Sequence, residues 1–117
     1  VFIERDKIAQ RILFNNLEQL RVNGQTNLVR TTVNNWLDKN ISQQQFDLVF
    51  VDPPYYDPQV ETVERLSNVV VSGGLMIVSW PLKFELPILP ELTLLSEKTY
   101  AGAKILTYER PESSTIS

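Results

Sequence analysis

The segment Phe46–Val51, FDLVFV, is apolar at every position but Asp47, and it is closed by Asp52-Pro53-Pro54-Tyr55-Tyr56. Such a run suits a strand covered on both faces, as in the parallel sheet of an α/β domain. Consecutive prolines cannot continue a ladder, because each fixes φ and lacks a backbone donor. The chain therefore leaves the sheet stiffly after Val51. Whatever the strand delivers at its carboxyl end is carried on a rigid turn.

Two periodicities alternate around this strand. VFIE, Val1–Glu4, is a short apolar run, and Asp6 is placed to cap a helix carrying Ile8, Ile12, Leu13, Leu17 and Leu20 on one face. Asn23-Gly24 is expected to end it. NLVRT, Asn27–Thr31, is the next strand, and Val33–Asp38 forms a short helix that turns Trp36 and Leu37 inward. Beyond the prolines, Pro58 opens a helix whose Val60, Val63, Leu66 and Val70 share a face until Gly73-Gly74 break it. LMIVSW, Leu75–Trp80, is a buried strand. After a loop punctuated by Pro81, Pro87 and Pro90, LTLLSEK and AKILTYER form a hairpin around Gly102. Alternating strands and helices followed by two consecutive strands predict an α/β domain over residues 1–110, with a mostly parallel sheet and an antiparallel strand at its end. Residues 111–117 form a polar tail. Gln43–Gln45 is too short to count as a low-complexity segment.

Composition removes several chemistries. With 117 residues, 43% of them apolar, the chain builds one small core. Eleven basic against fourteen acidic residues give a net charge of −3, so a polyanion partner needs a local basic patch. The absence of cysteine and histidine excludes a disulfide framework, a thiolate nucleophile, an imidazole base and the usual zinc site, and no metal is expected. No apolar run reaches the ~20 residues of a membrane span, and the order of a signal peptide is lacking. A cytoplasmic protein with no membrane partner is expected.

In open α/β sheets, ligands bind beyond the carboxyl ends of the strands. Those ends are Glu4, Thr31 and Thr32, Asp52 to Tyr56, and Trp80, which are expected to line one edge. The Pro53 carbonyl and the Asp52 carboxylate only accept hydrogen bonds, and Tyr55 adds a flat aromatic face. This set suits a planar ligand with an exocyclic amino group. The same residues admit structural readings. Asp-Pro-Pro-Tyr is also a plain rigid loop, Glu4 a charge at a helix start, and Thr32 a cap for the helix from Val33. Trp36, Trp80, Tyr100 and Tyr108 are also core or hairpin packing. An apolar strand ending in Asp resembles the magnesium-holding strand of P-loop NTPases as well, but none of the four glycines lies in a phosphate loop.

DPPY after an apolar strand resembles the amino-methyltransferase signature of S-adenosyl-L-methionine-dependent enzymes. VFIERD, NNLEQL, FDLVFVDPPYY and EKTYAGAKILTYER, in that order and over nearly the whole chain, resemble the bacterial 16S rRNA guanine-N2 methyltransferase family. The resemblance implies a class I methyltransferase, Rossmann-like sheet with a C-terminal antiparallel hairpin, S-adenosyl-L-methionine as cofactor, and ribosomal RNA or a small-subunit assembly particle as partner. It implies that Glu4 holds the cofactor ribose and that Thr32 and Val33 lie on the adenine. Thr32 stands where the family more often carries Asp or Asn. Asp52, Pro53, Pro54 and Tyr55 are implied to carry methyl transfer to a guanine amine. Two alternatives stay open: a DPPY-type amino-methyltransferase of DNA, and a truncated, non-catalytic methyltransferase-like module. The family's first strand and glycine-rich cofactor loop have no counterpart here. The missing strand belongs between VFIE and FDLVFV, so the open strand edges are expected to drive self-association of the truncated chain.

Overall fold

The computed structural model describes residues 1–40 and 45–112. The expected polar tail lies outside the described residues from position 113 onward, as do Gln43 and Gln44. The chain divides into two units, Val1–Ile41 and Ser42–Ser117.

In the first unit, β1 (Phe2–Ile3) and β2 (Leu28–Val29) pair in parallel, Phe2 opposite Leu28. Helix α1 (Lys7–Gln19) lies between them in sequence and α2 (Val33–Asn40) follows β2. Asp6 caps α1 as expected, its Oδ2 accepting the Ala9 N–H at 2.8 Å. The far end differs from expectation. Arg21, at φ 58°, takes the left-handed position, and the Arg21 and Val22 N–H groups return to the Glu18 and Leu17 carbonyls. That double return closes the helix before Asn23-Gly24 is reached, and those two residues enter a short 3-10 turn instead. The apolar stripe of α1 is also corrected: Leu17 is buried, whereas Ile8 is 70% exposed and Ile12 and Leu20 are exposed. Two strands of two residues cannot cover a helix of 13 residues. Trp36 and Leu37 on α2 are buried, as their spacing predicts.

The second unit contains β3 (Phe46–Val51), α3 (Val60–Leu66), β4 (Val70–Pro81), β5 (Thr93–Tyr100) and β6 (Ala103–Glu109). They form a sheet of order β3-β4-β6-β5, with β3 parallel to β4 and the other pairs antiparallel. Alternation on β4 buries Met76, Val78 and Trp80, and the residues opposite the first two, Tyr108 and Leu106, are buried with them. The expectation that β3 is covered on both faces fails. Phe50 is 72% exposed and Leu48 is also exposed, because β3 is the outer strand of this sheet and one of its faces is open.

Helix α3 is shorter than the apolar spacing suggests. Pro58 is buried ahead of the helix, Gln59 at φ 52° turns the chain into it, and a 3-10 turn, Ser67–Val69, ends it. Val70 is already strand. Gly73 and Gly74 lie within β4, where the pairing jumps from Phe46↔Val70 to Leu48↔Leu75. The extra residues form a bulge. Gly73 sits at φ 80°, and a Cβ on Gly74 would meet the Asp47 and Val71 carbonyls and the Val70 side chain at 3.0 Å. The glycines therefore permit the bulge; they do not break the chain into separate elements.

Arg110 closes this region. Its backbone exchanges hydrogen bonds with Gly73 and Gly74. Its guanidinium donates to the Val70 carbonyl at 2.7 Å and to the Ser67 carbonyl. Ser67, Val69 and Val70 are buried, so these carbonyls need a donor from the protein. Among the described residues, no helix is long and apolar enough to cross a membrane. Replacing Arg110 by Met, which keeps the stem, should cost about 2 kcal/mol by removing two charge-assisted bonds to buried carbonyls. Phe50→Ala should change stability by less than about 0.5 kcal/mol. Urea unfolding checks both, and a larger loss for Phe50 than for Arg110 would contradict this account of the sheet.

Candidate active site

Within the first unit, the parallel register brings the residues after β1 and β2 to the same end of the small sheet. The Glu4 N–H bonds to the Val29 carbonyl at 3.1 Å, which places Glu4 at the carboxyl end of β1. Its carboxylate is held at the start of α1: Oε2 accepts the Asp6 N–H at 3.1 Å, and the Glu4 carbonyl accepts from Gln10 Nε2 at 2.8 Å. Thr32 follows β2 and caps α2, its Oγ1 accepting the Asn35 N–H at 3.1 Å. Its carbonyl accepts the Trp36 N–H. Val33 opens α2 and is half-buried. Both polar residues thus have the structural roles that the sequence allowed, and each keeps a group to offer. Glu4 retains Oε1, and the Thr32 hydroxyl retains its proton.

In the second unit, Val51 pairs with Val78, so Asp52 emerges at the carboxyl end of β3 beside the inner part of β4. Asp52 is exposed, whereas Pro53 and Pro54 are half-buried. The two prolines lead into a tight turn closed by the Asp57 N–H on the Pro54 carbonyl at 3.2 Å. Asp57 Oδ1 accepts the Gln59 N–H, which joins the turn to the start of α3. Among the described residues, none donates to the Pro53 carbonyl. The arrangement is therefore an acceptor pair, carboxylate and carbonyl, followed by Tyr55, which is 60% exposed.

Trp80 stands at the carboxyl end of β4, one residue before its last, but is buried and does not line an edge. Its Nε1 donates to the Glu85 carbonyl at 3.0 Å, which fastens the following loop. Tyr108 is buried too, and its hydroxyl donates to the Pro87 carbonyl at 3.3 Å. These are packing residues. Tyr100, at the end of β5, is exposed. One contact was missed by sequence reasoning: the Tyr55 hydroxyl donates to the Gly102 carbonyl at 3.1 Å, across 47 positions. Only the hairpin turn around Gly102 was legible.

Burial, and then the charge of Glu97, raise the pKa of Tyr108 above 10.0. Above pH 10 the unfolded chain loses this proton while the folded chain keeps it. The stability Tyr108 supplies is thus complete below pH 10 and is lost as pH rises through the folded pKa. Urea unfolding between about pH 9 and 11 should show that decline, lessened in Tyr108→Phe. Thr32→Ala should cost about 1 kcal/mol and Thr32→Asp much less, because aspartate also caps. Equal losses for the two variants would argue against the cap.

The family model described as Conserved hypothetical protein 95 matches residues 1–109. Similar solved structures include the "putative methylase HI0767" of Haemophilus influenzae, 25% identical with a TM-score of 0.76. The match covers 95% of this chain and 71% of that one. The "putative methyltransferase yhhF" of Escherichia coli is 25% identical with a TM-score of 0.77, over 95% of this chain and 63% of that one. A conserved hypothetical protein of Streptococcus pyogenes is 26% identical with a TM-score of 0.75, over 91% and 68%. The chain thus spans between 63% and 71% of the length of these structures. The sequence has no match among curated proteins.

Proposed function

The chain belongs to the Conserved hypothetical protein 95 family and has the class I methyltransferase fold, and from this premise we propose that it transfers a methyl group from S-adenosyl-L-methionine to the N2 amine of a guanine in 16S ribosomal RNA. The observation that carries this reading is the turn after β3. It carries, within four consecutive residues, the exposed Asp52 carboxylate, the Pro53 carbonyl, to which no described residue donates, and the exposed Tyr55, whose hydroxyl is engaged by Gly102. Acceptors beside an aromatic face select a planar ring bearing an amine. The choice of guanine and of ribosomal RNA is supported by the resemblance of VFIERD, FDLVFVDPPYY and the closing hairpin segment to the guanine-N2 methyltransferases.

The cofactor's chemistry fits the polar groups that the first unit leaves available. Glu4 Oε1 suits a ribose hydroxyl, and Thr32 with Val33 suits the adenine ring, one through a hydroxyl proton and the other through apolar contact. When bound, S-adenosyl-L-methionine supplies an electrophilic methyl group. On the nucleobase side, Asp52 and the Pro53 carbonyl accept the two amine hydrogens, which fixes the direction of the nitrogen lone pair, while Tyr55 stacks on the base. A carboxylate is too weak a base to deprotonate a neutral aryl amine in advance, so Asp52 acts first as an acceptor. As the nitrogen becomes cationic, Asp52 takes the released proton at a carboxylate oxygen and passes it to water. Positioning and desolvation supply most of the acceleration.

Asp52→Ala should lower methyl transfer by at least about 100-fold. Because Asp52 is exposed, the melting transition should stay within about 0.5 kcal/mol. The assay is transfer of labelled methyl, by the protein as its gene encodes it, to 16S ribosomal RNA, to small-subunit particles and to unmethylated DNA. Label recovered as N2-methylguanine in ribosomal RNA is the expected result. Label in DNA adenine or cytosine would replace the RNA reading by the DNA one, and full activity of Asp52→Ala would remove the assigned role.

A further inference from the structure

Tyr55 is tied to a part of the chain far from it in sequence. Its hydroxyl donates to Gly102, in the two-residue turn between β5 and β6, where Tyr100 lies opposite Ala103. Both turn residues have positive φ, 43° at Ala101 and 86° at Gly102. That backbone twist matches the twist of the flanking strands, but it is unfavourable for alanine. Such a conformation persists where its surroundings over-determine it. Here the hairpin ladder constrains one side and the phenol the other. A Cβ on Gly102 would stand 3.2 Å from the Tyr55 hydroxyl, closer than ordinary contact. Gly102 thus meets two demands at once, the turn's φ and the approach of the phenol. With this bond made, Tyr55 is still 60% exposed, so its hydroxyl is held without the residue being covered.

We propose that the β5–β6 turn is a positioning element for the Asp52–Tyr55 loop, with the Gly102 carbonyl holding the Tyr55 ring in one orientation. The loop has its own turn, closed by the Asp57 N–H on the Pro54 carbonyl, but that bond lies in the backbone and does not hold the ring. An exposed tyrosine on a free loop samples several rotamers. Anchoring the hydroxyl selects one of them, and the plane on which a planar ligand stacks is then set by the hairpin. Gly102 touches no reacting atom and is a positioning residue. The catalytic consequence rests on the methyl-transfer reading above; the tie between loop and turn does not.

Tyr55→Phe keeps the ring and removes the donor, so it tests the tie in the protein as its gene encodes it. Amide hydrogen exchange should accelerate together at Ala101–Ala103 and at Tyr55–Asp57, by roughly threefold to tenfold. Gly102→Ala should act on the same two segments, with a further loss at the turn from its φ of 86°, and the double variant should not exceed Gly102→Ala alone. In the methyl-transfer assay, Tyr55→Phe should lower kcat by about tenfold and change KM for RNA less than about threefold, because the base still binds but is less often aligned. Unchanged exchange at the turn in Tyr55→Phe overturns the proposal, and so do additive effects or a raised KM with normal kcat. If the two segments respond together but the unaltered protein methylates no RNA, the functional reading falls and the tie stands. If the protein methylates RNA and Tyr55→Phe matches it in exchange and kcat, the tie falls alone.

Discussion

The buried carbonyls of Ser67 and Val70 impose the condition on which the second unit depends. They lie where a 3-10 turn becomes the start of β4, and the Arg110 guanidinium donates to both. Were that donor absent, both acceptors would lose a charge-assisted bond in a region where Val69 and Val70 are almost fully buried. With it, the beginning of β4 is locked to the end of β6, on either side of the bulge at Gly73 and Gly74. Everything else is measured from β4. The parallel pair Val51↔Val78 sets how far β3 runs before Asp52, and the antiparallel pair Pro81↔Ala103 sets the height of the hairpin turn. The acceptor turn and Gly102 can meet because both are registered against one strand.

The readiness of the candidate site comes from subtraction. Two prolines remove backbone donors, the chain has no histidine or cysteine, and the Tyr55 hydroxyl is directed to Gly102. The Asp52 side chain and Pro53 are left with acceptors alone, beside the exposed tyrosines Tyr55 and Tyr56. Glu4 and Thr32 follow a related logic: each uses one oxygen to start a helix and keeps another group in reserve. The structural role thus leaves part of each side chain uncommitted.

The local features were legible in the sequence. Asp6 as a cap, Trp36 and Leu37 as an inward pair, the stop after Val51 and the hairpin around Gly102 depend on near neighbours, and the structure has all of them. Features set by distant partners were not. The spacing of Ile8 and Ile12 shows one face of a helix but not whether a layer exists to cover it. The apolar composition of β3 does not reveal that it is an outer strand with Phe50 open. Gly73-Gly74 look like a stop in one dimension and prove to be a bulge, because the strand they interrupt is held across the gap by Arg110. Likewise DPPY announced the loop, but no local pattern could announce its partner 47 positions away.

That separation has a consequence for how the protein comes into being. A ribosome delivers β3, the acceptor turn and α3 well before it delivers β5, the turn at Gly102 and Arg110. Until those last residues emerge, the central strand β4 lacks its antiparallel neighbour and the Tyr55 hydroxyl has no carbonyl to meet. Contacts of such long sequence separation close late, after the loop entropy between them has been overcome. In the nascent chain the Tyr55 hydroxyl is therefore synthesised well before its acceptor. The bond between Tyr55 and Gly102 forms only when the carboxyl-terminal hairpin has folded back.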